Sequence, residues 1–232
     1  MLSKRLRAVA DLVPQGVRMA DIGCDHAYLP IALLEEGRVT QAIGCDINQG
    51  PLEAARLNAA RAGLDASRLT LRLGDGLTAL TPGEVEVVTL AGMGGGLMVE
   101  ILSAAPAVVQ ALSRIVVSPN VAPWLLRRWA AESGWRIEQE SVVADGGHYY
   151  EVFALVPARE AVSYSAAALY FGVSLPTQCD AVTTAYFAER WDKDASLLAI
   201  WEPLAKQRPE IAEKARTLRA LWEEWRRMRP CE

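Results

Sequence analysis

Between residues 17 and 157 the chain alternates short apolar runs with longer stretches of helical spacing. That alternation limits the fold more than any other feature. "VRMADIG", "QAIGCDI", "LTLRLGDG", "VEVVTLAG" and "RIVVSP" have strand length and strand composition. Between them lie helical stretches: "YLPIALLEEG", stopped by Gly37; "PLEAARLNAARAG", with Pro51 in its first turn; and "GGLMVEILSAA". Pro123 opens another helix through Ser133, with Gly134 as its stop. "WRIEQESVVADGGHYYEVFALVP" then alternates in twos around Asp145-Gly146-Gly147, a hairpin signal. Five βα-type units and a terminal hairpin predict an α/β fold: a doubly wound, mostly parallel sheet with an antiparallel edge and helices on both faces. Ligands of such sheets sit beyond the carboxyl ends of the strands, at the switch point. The residues at the strand ends are therefore the ones to read for chemistry.

The first strand runs into "DIGCDHAYLP". A dinucleotide loop would read G-x-G-x-x-G and bring a pyrophosphate onto the backbone and a helix N-terminus. Counted from Gly23, the second and third glycine positions hold Asp25 and Tyr28. A carboxylate there repels a pyrophosphate, which argues against NAD. A cationic, phosphate-free cofactor suits the loop better, and S-adenosylmethionine has a sulfonium, an ammonium and a ribose diol. On that reading Asp21 and Asp25 face the cationic end and Gly23 lets the backbone come close. Asp46, ending the second strand, accepts both ribose hydroxyls. Asp75, between Gly74 and Gly76, takes the exocyclic amine of adenine. Each acid alone also suits a helix cap or a turn; their recurrence after three successive strands carries the argument. The fourth strand ends in "AGMGGG", where glycines at 92, 94, 95 and 96 permit positive φ and close approach. It reads either as a phosphate nest or as a bare backbone wall beside a transferable methyl.

Outside this region, "MLSKRLRAVADLV" predicts an amphipathic helix with Leu2, Leu6, Val9 and Val13 on one face. After Pro157 a short helix is expected around "AALYFG", a break at Leu175-Pro176, and charged helical patterns from about 180 to 229. Pro203 and Pro209 favour a helical hairpin over one unbroken helix, and tryptophans 191, 201, 222 and 225 are assigned to its packing. The division expected is a domain at 1–157 and a helical domain at 158–232. The net charge of −4 does not advertise nucleic acid. Lys4, Arg5, Arg7 and Arg18, with Arg226, Arg227 and Arg229, leave local patches for an RNA partner. No apolar run approaches the ~20 residues of a membrane span, and no cleavage site follows an apolar core. A cytoplasmic protein is expected. The cysteines at 24, 45, 179 and 231 include no CxxC pair, so small buried thiols are expected and no metal site.

Taken together, "LSKRL", "DIGCDHAYLP", "GDG", "AGMGG", "PN" and the "YYE" strand resemble the bacterial tRNA (adenine-22, N1)-methyltransferases. The resemblance spans roughly residues 1 to 157 and continues more weakly into the tail. It implies a Rossmann-like class I methyltransferase fold with a small C-terminal coiled-coil-like helical domain. It also implies S-adenosylmethionine as cofactor and N1 of a tRNA adenine as methyl acceptor. By position it puts Asp21, Gly23, Asp25, His26 and Tyr28 in the first cofactor motif, Asp46 at the ribose, and Asp75 with Gly76 at the adenine. Ala91, Gly92, Met93, Gly94 and Gly95 match the methyl-transfer motif. Asn120 is the candidate for holding the base edge and Tyr149 or Tyr150 for stacking on it. Ser118 stands where the family commonly has glutamine. Alternative readings are methyl transfer to a small molecule or another RNA, and a non-catalytic cofactor-binding module.

Overall fold

The computed structural model describes residues 2–229, so Cys231 lies outside the described residues. Five strands, β1 (Val17–Ile22), β2 (Val39–Asp46), β3 (Leu69–Leu73), β4 (Val87–Ala91) and β5 (Arg114–Ser118), run parallel. The hairpin strands β6 (Trp135–Asp145) and β7 (His148–Pro157) complete a seven-stranded sheet of order β3-β2-β1-β4-β5-β7-β6. β7 pairs antiparallel with both β5 and β6. The hairpin turns on Gly146 and Gly147, with φ of 57° and 79°. Positive φ at both central residues matches the twist of the flanking strands. The strand order reverses direction between β1 and β4, which locates the crevice predicted for ligands.

Successive residues of the central strands feed opposite faces, as a pleated strand requires. Ala20, Ile43, Val88, Val117 and Phe153 pack under α4 (Gly95–Ala104), α5 (Pro106–Gln110) and α6 (Pro123–Glu132). Their neighbours Met19, Ala42, Val87, Val116 and Val152 pack under α1 (Lys4–Asp11), α2 (Tyr28–Glu35) and α3 (Gln49–Arg61). Burial on both faces explains why these strands read as nearly continuous apolar runs. The stretch from 95 to 110 is two helices where the sequence predicted one. Pro106 has no N–H to continue α4 and instead opens α5.

Helix α1 starts where Ser3 Oγ accepts from the Leu6 amide at 3.2 Å. Val9 and Val13 are fully buried with Leu2 beside them, whereas Leu6, expected on the same face, is only half-buried and outside that cluster, and Leu2 and Val13 flank the helix. The C-terminal segment forms α7 (Ala166–Phe171), α8 (Ala181–Ala205) and α9 (Pro209–Met228). Pro209 opens α9 as expected, whereas Pro203 is accommodated near the end of α8. Phe171, Phe187, Trp222 and Trp225 form the helical core, with Trp191 and Trp201 packed against it. Val142 of β6 joins the same cluster. A buried ionic network reinforces that junction. Arg127 of α6, wholly buried, donates to Glu140 of β6 at 2.8 Å, to Glu151 of β7, and to the Leu169 carbonyl of α7. Tyr186 and Arg190 of α8 reach the other Glu151 oxygen, Tyr186 at 2.5 Å.

Candidate active site

At the reversal of strand order a cavity of about 360 Å³ opens, lined by Asp21, Gly23, Asp25, His26, Tyr28, Ala91, Gly92 and Met93, with Arg5 and Leu6 from α1. Asp21 is buried near the end of β1, and its Oδ1 accepts from the Thr89 hydroxyl at 2.6 Å. Burial pushes its carboxyl up to about 7; the hydrogen bond from Thr89 opposes the rise and the charge of Asp46 adds to it. Among the described residues no cation pairs with it. A cation placed beside such a carboxyl would favour its ionised form.

The turn after β1 is tight. Gly23, Asp25 and Ala27 all have left-handed φ, of 72°, 50° and 56°. The last two lack glycine's freedom, at a cost of about 1 kcal/mol each or more. Three hydrogen bonds hold the turn in place. The amides of Gly23 and Cys24 both donate to the Cys45 carbonyl at 2.9 Å, and the Asp25 amide donates to Asp46 Oδ2 at 3.2 Å. Asp46 also accepts the Asn48 amide on Oδ1 at 2.9 Å, so backbone donors aim its carboxylate. His26 lies 3.5 Å from the Asp25 carboxylate and its carbonyl accepts from Asn58, which supports a loop-ordering role. Cys24 and Cys45 are buried thiols, and burial pushes Cys45 up to about 12.

Asp75 is exposed after β3, and the Gly74 amide ties its loop to the Asp46 carbonyl at 3.0 Å. Gly76 is required by packing: at φ 57°, a Cβ would lie 2.8 Å from Ile101. Ile47 and Leu73 are large apolar side chains left exposed beside Asp46 and Asp75. The sequence gave no cue to them, because an exposed apolar residue next to a strand end looks like ordinary surface.

The "AGMGGG" turn departs from its expected form. Only Gly92 has positive φ, 82°; Gly94 caps α4 and Gly95 and Gly96 are helical. Gly95 serves packing. Its amide donates to the Val121 carbonyl at 2.9 Å, and a Cβ there would lie 2.3 Å from the Ala122 carbonyl oxygen. The phosphate-nest reading is therefore set aside, because the Gly95 amide is already spent on the chain. Asn120 sits opposite, donating its backbone amide to the Met93 carbonyl at 2.8 Å and its side-chain Nδ2 to the Gly92 carbonyl at 2.7 Å. Ser118, which precedes Pro119 and Asn120, is fully buried, and its hydroxyl has no hydrogen-bond partner among the described residues.

A second cavity, of about 650 Å³, adjoins the first between the hairpin and the C-terminal helices. Asn120, Trp124, Tyr149, Tyr150, Tyr170 and Arg190 contribute to its wall. Trp124 and Tyr170 rings lie 5.7 Å apart, and the Arg190 guanidinium lies 4.2 Å above Tyr170. Tyr149 packs on Tyr186 at 5.9 Å, whereas Tyr150 carries Arg5 on its face. Arg5 borders both cavities. In the sequence Arg5 is one charge of the N-terminal basic patch, within "LSKRL", and nothing there points to Asn120 or Tyr150.

The family described as a methyltransferase domain matches residues 2–153. Across 193 residues the chain is 32% identical to the tRNA (adenine(22)-N(1))-methyltransferase of Bacillus subtilis, covering 83% of this chain and 81% of that protein. The chain belongs to the tRNA (adenine(22)-N(1))-methyltransferase family. Among solved members, the B. subtilis m1A22 tRNA methyltransferase superposes with a TM-score of 0.88 at 29% identity, over 98% of both chains. The M. capricolum TrmK structure, solved with S-adenosyl-homocysteine, gives 0.82 at 29% identity, over 95% of this chain and 97% of that one. These superpositions extend through the C-terminal helices, beyond the region matched by the methyltransferase domain.

Among the described residues no helix is long and apolar enough to cross a membrane. No group of three or more His, Cys, Asp or Glu side chains among them is arranged to hold a metal ion.

Proposed function

We infer that this protein methylates N1 of an adenine in tRNA, at position 22 by its family, using S-adenosylmethionine, and that it works in the cytoplasm. The observation that carries the reading is the pair of adjoining cavities at the carboxyl ends of β1 and β4, with Arg5 on the wall of both. The residues of the smaller cavity fit the cofactor's cationic end, with a buried carboxylate that has no cation beside it and a glycine turn that admits close approach; Asp46, aimed by backbone donors, stands behind that turn and outside the cavity lining.

When bound, the cofactor would supply an electrophilic methyl on a sulfonium; adenine N1 would take it through its in-plane lone pair as the sulfur–carbon bond breaks, leaving a neutral thioether and a cationic base, with no strong general base needed. The protein's own part is then to bind, align and exclude. We assign Asp21 and Asp25 to the cationic end, with His26 ordering that loop and Tyr28, on the cavity lining, contacting the cofactor. Asp46 accepts the ribose hydroxyls, and Asp75 with Gly76 receives the adenine between Ile47 and Leu73. Ala91, Gly92, Met93 and Gly94 form the wall along which cofactor and base meet. Asn120 holds the edge of the target base. N1 lies on the Watson–Crick edge, so the adenine must leave its stack to reach this wall. Alignment of two held reactants is a large source of rate, with effective molarities of up to ~10⁵ M or more.

The test is to incubate the protein with radiolabelled S-adenosylmethionine and unmodified bacterial tRNA, and to map the labelled nucleoside. N1-methyladenosine at position 22, absent from a tRNA carrying guanosine there, is the expected result. Label on another atom or at another position refutes the reading.

A further inference from the structure

We propose that Arg5 is a positioning residue that sets the base selectivity of this site by fixing the side-chain amide of Asn120, an inference that rests on the adenine N1 reading above. The Asn120 amide is held between two groups that cannot exchange roles. On one side it meets the Gly92 carbonyl, 2.7 Å from Nδ2. On the other it meets the Arg5 guanidinium, whose Nη1 donates to Oδ1 at 2.8 Å. A carbonyl only accepts and a guanidinium only donates. Turning the amide over would set oxygen against oxygen and N–H against N–H. Only one orientation is left, with Oδ1 toward Arg5.

Arg5 is itself anchored by the distant hairpin. Its Cζ stands 4.6 Å from the centre of the Tyr150 ring, and its backbone amide donates to Asp145 Oδ2 at 3.1 Å. The guanidinium is thus stacked and its helix pinned, so the direction it imposes on Asn120 does not depend on a mobile side chain.

The consequence is chemical. Asn120 Oδ1 keeps a second lone pair and belongs to an exposed residue on the wall of the larger cavity. Gly92, which the same amide grips, lines the smaller one. An adenine that directs N1 toward Gly92 presents its exocyclic amine on the adjoining position, where it donates to that lone pair. Guanine would instead bring a carbonyl oxygen against Oδ1, and its N1 carries a hydrogen in place of the lone pair. A flipped or freely turning amide would lose this distinction. Arg5 does not touch the base in this scheme; it acts through Asn120.

Purine riboside is the discriminating substrate, because it keeps the N1 lone pair and lacks the amine. The full-length protein is assayed with two tRNAs that carry adenosine or purine riboside at position 22. Wild type, Arg5→Ala and Arg5→Lys are compared by kcat and KM, with cofactor affinity measured by calorimetry. Wild type should favour adenosine by about tenfold in kcat/KM, the worth of one hydrogen bond. Arg5→Ala should lose most of that preference, to within about twofold, chiefly through kcat on the adenosine substrate. Arg5→Lys retains a donor for the same oxygen and should keep the preference. Equal losses on both substrates in Arg5→Ala, with selectivity intact, overturn the proposal. Should Arg5→Ala fail to fold, loss of selectivity in Arg5→Lys at unchanged cofactor affinity overturns it equally. A wild type that methylates adenosine and accepts purine riboside as readily overturns this inference alone. A wild type that leaves adenosine N1 unmodified overturns the functional reading beneath it.

Discussion

If Asp21 faces the cationic end of the cofactor, as proposed, binding should depend on pH, and the size of the effect follows from its surroundings. Its carboxyl is raised from 3.8 to about 7, first because it is buried, with the nearby Asp46 charge adding to the rise against the Thr89 hydrogen bond. In the ligand-free protein it is therefore largely protonated at pH 6 and largely ionised at pH 8. A cationic group bound beside it favours the ionised form and displaces the proton. With a value of about 7, the affinity should rise about tenfold between pH 6 and pH 8 and level off above. Calorimetry in buffers of different ionisation enthalpy reads the released proton directly. Close to one proton per cofactor is expected at pH 6 and almost none from this group at pH 8. Asp21→Asn should remove this component and leave only the cofactor's own titration. The same shift bears on stability with a definite sign. Between about pH 4 and 7 the folded apoprotein holds a proton that the unfolded chain has lost, so this group makes stability fall as pH rises through that window. Affinity that stays flat from pH 6 to 8, or an unchanged profile in Asp21→Asn, would refute the argument.

Two further outcomes test the scaffold. Gly95→Ala drives a Cβ to 2.3 Å from a backbone oxygen that cannot rotate away. It should cost about 1–3 kcal/mol and reduce kcat by displacing the loop that bears Asn120; an unshifted thermal melt would contradict this. Arg127→Met leaves Glu140 and Glu151 buried without their shared guanidinium. The expected loss is about 3–5 kcal/mol in chemical denaturation, and a loss under about 1 kcal/mol would mean that the network is dispensable.

The sheet was legible because its strands are buried on both faces, so their apolar runs stand out between capped helices. The hairpin was legible for a local reason too: Asp145-Gly146-Gly147 supplies the left-handed residues that such a turn needs. What escaped the sequence depends on contacts across long separations. Gly95 reads as a flexible glycine until Ala122 is seen against it. Arg5 reads as one charge on a helix face until Asn120 and Tyr150, more than a hundred residues away, converge on it. Arg127 carried no signal at all, since an arginine in an amphipathic helix ordinarily faces water and this one is bound by two strands and by α7. The acids at the strand ends were found because the fold type fixes where strand ends meet. Their partners were not found, because hydrogen-bond donors such as the Thr89 hydroxyl and the Asp25 amide have no signature of their own.

The bond from the Arg5 amide to Asp145 joins positions 140 residues apart, and that separation sets an order of events during synthesis. At roughly 5–20 residues per second, helix α1 leaves the ribosome on the order of ten seconds before the hairpin that anchors it. Through that interval Arg5 lacks its hairpin anchor, and Asn120 itself emerges only 115 residues after Arg5. A nascent chain can thus have all the strands that frame the cofactor and still be unable to tell one base from another. On the proposed scheme the anchor of Arg5 waits for the final pair of strands, and the Tyr170 and Arg190 part of the larger cavity follows later still with the C-terminal helices.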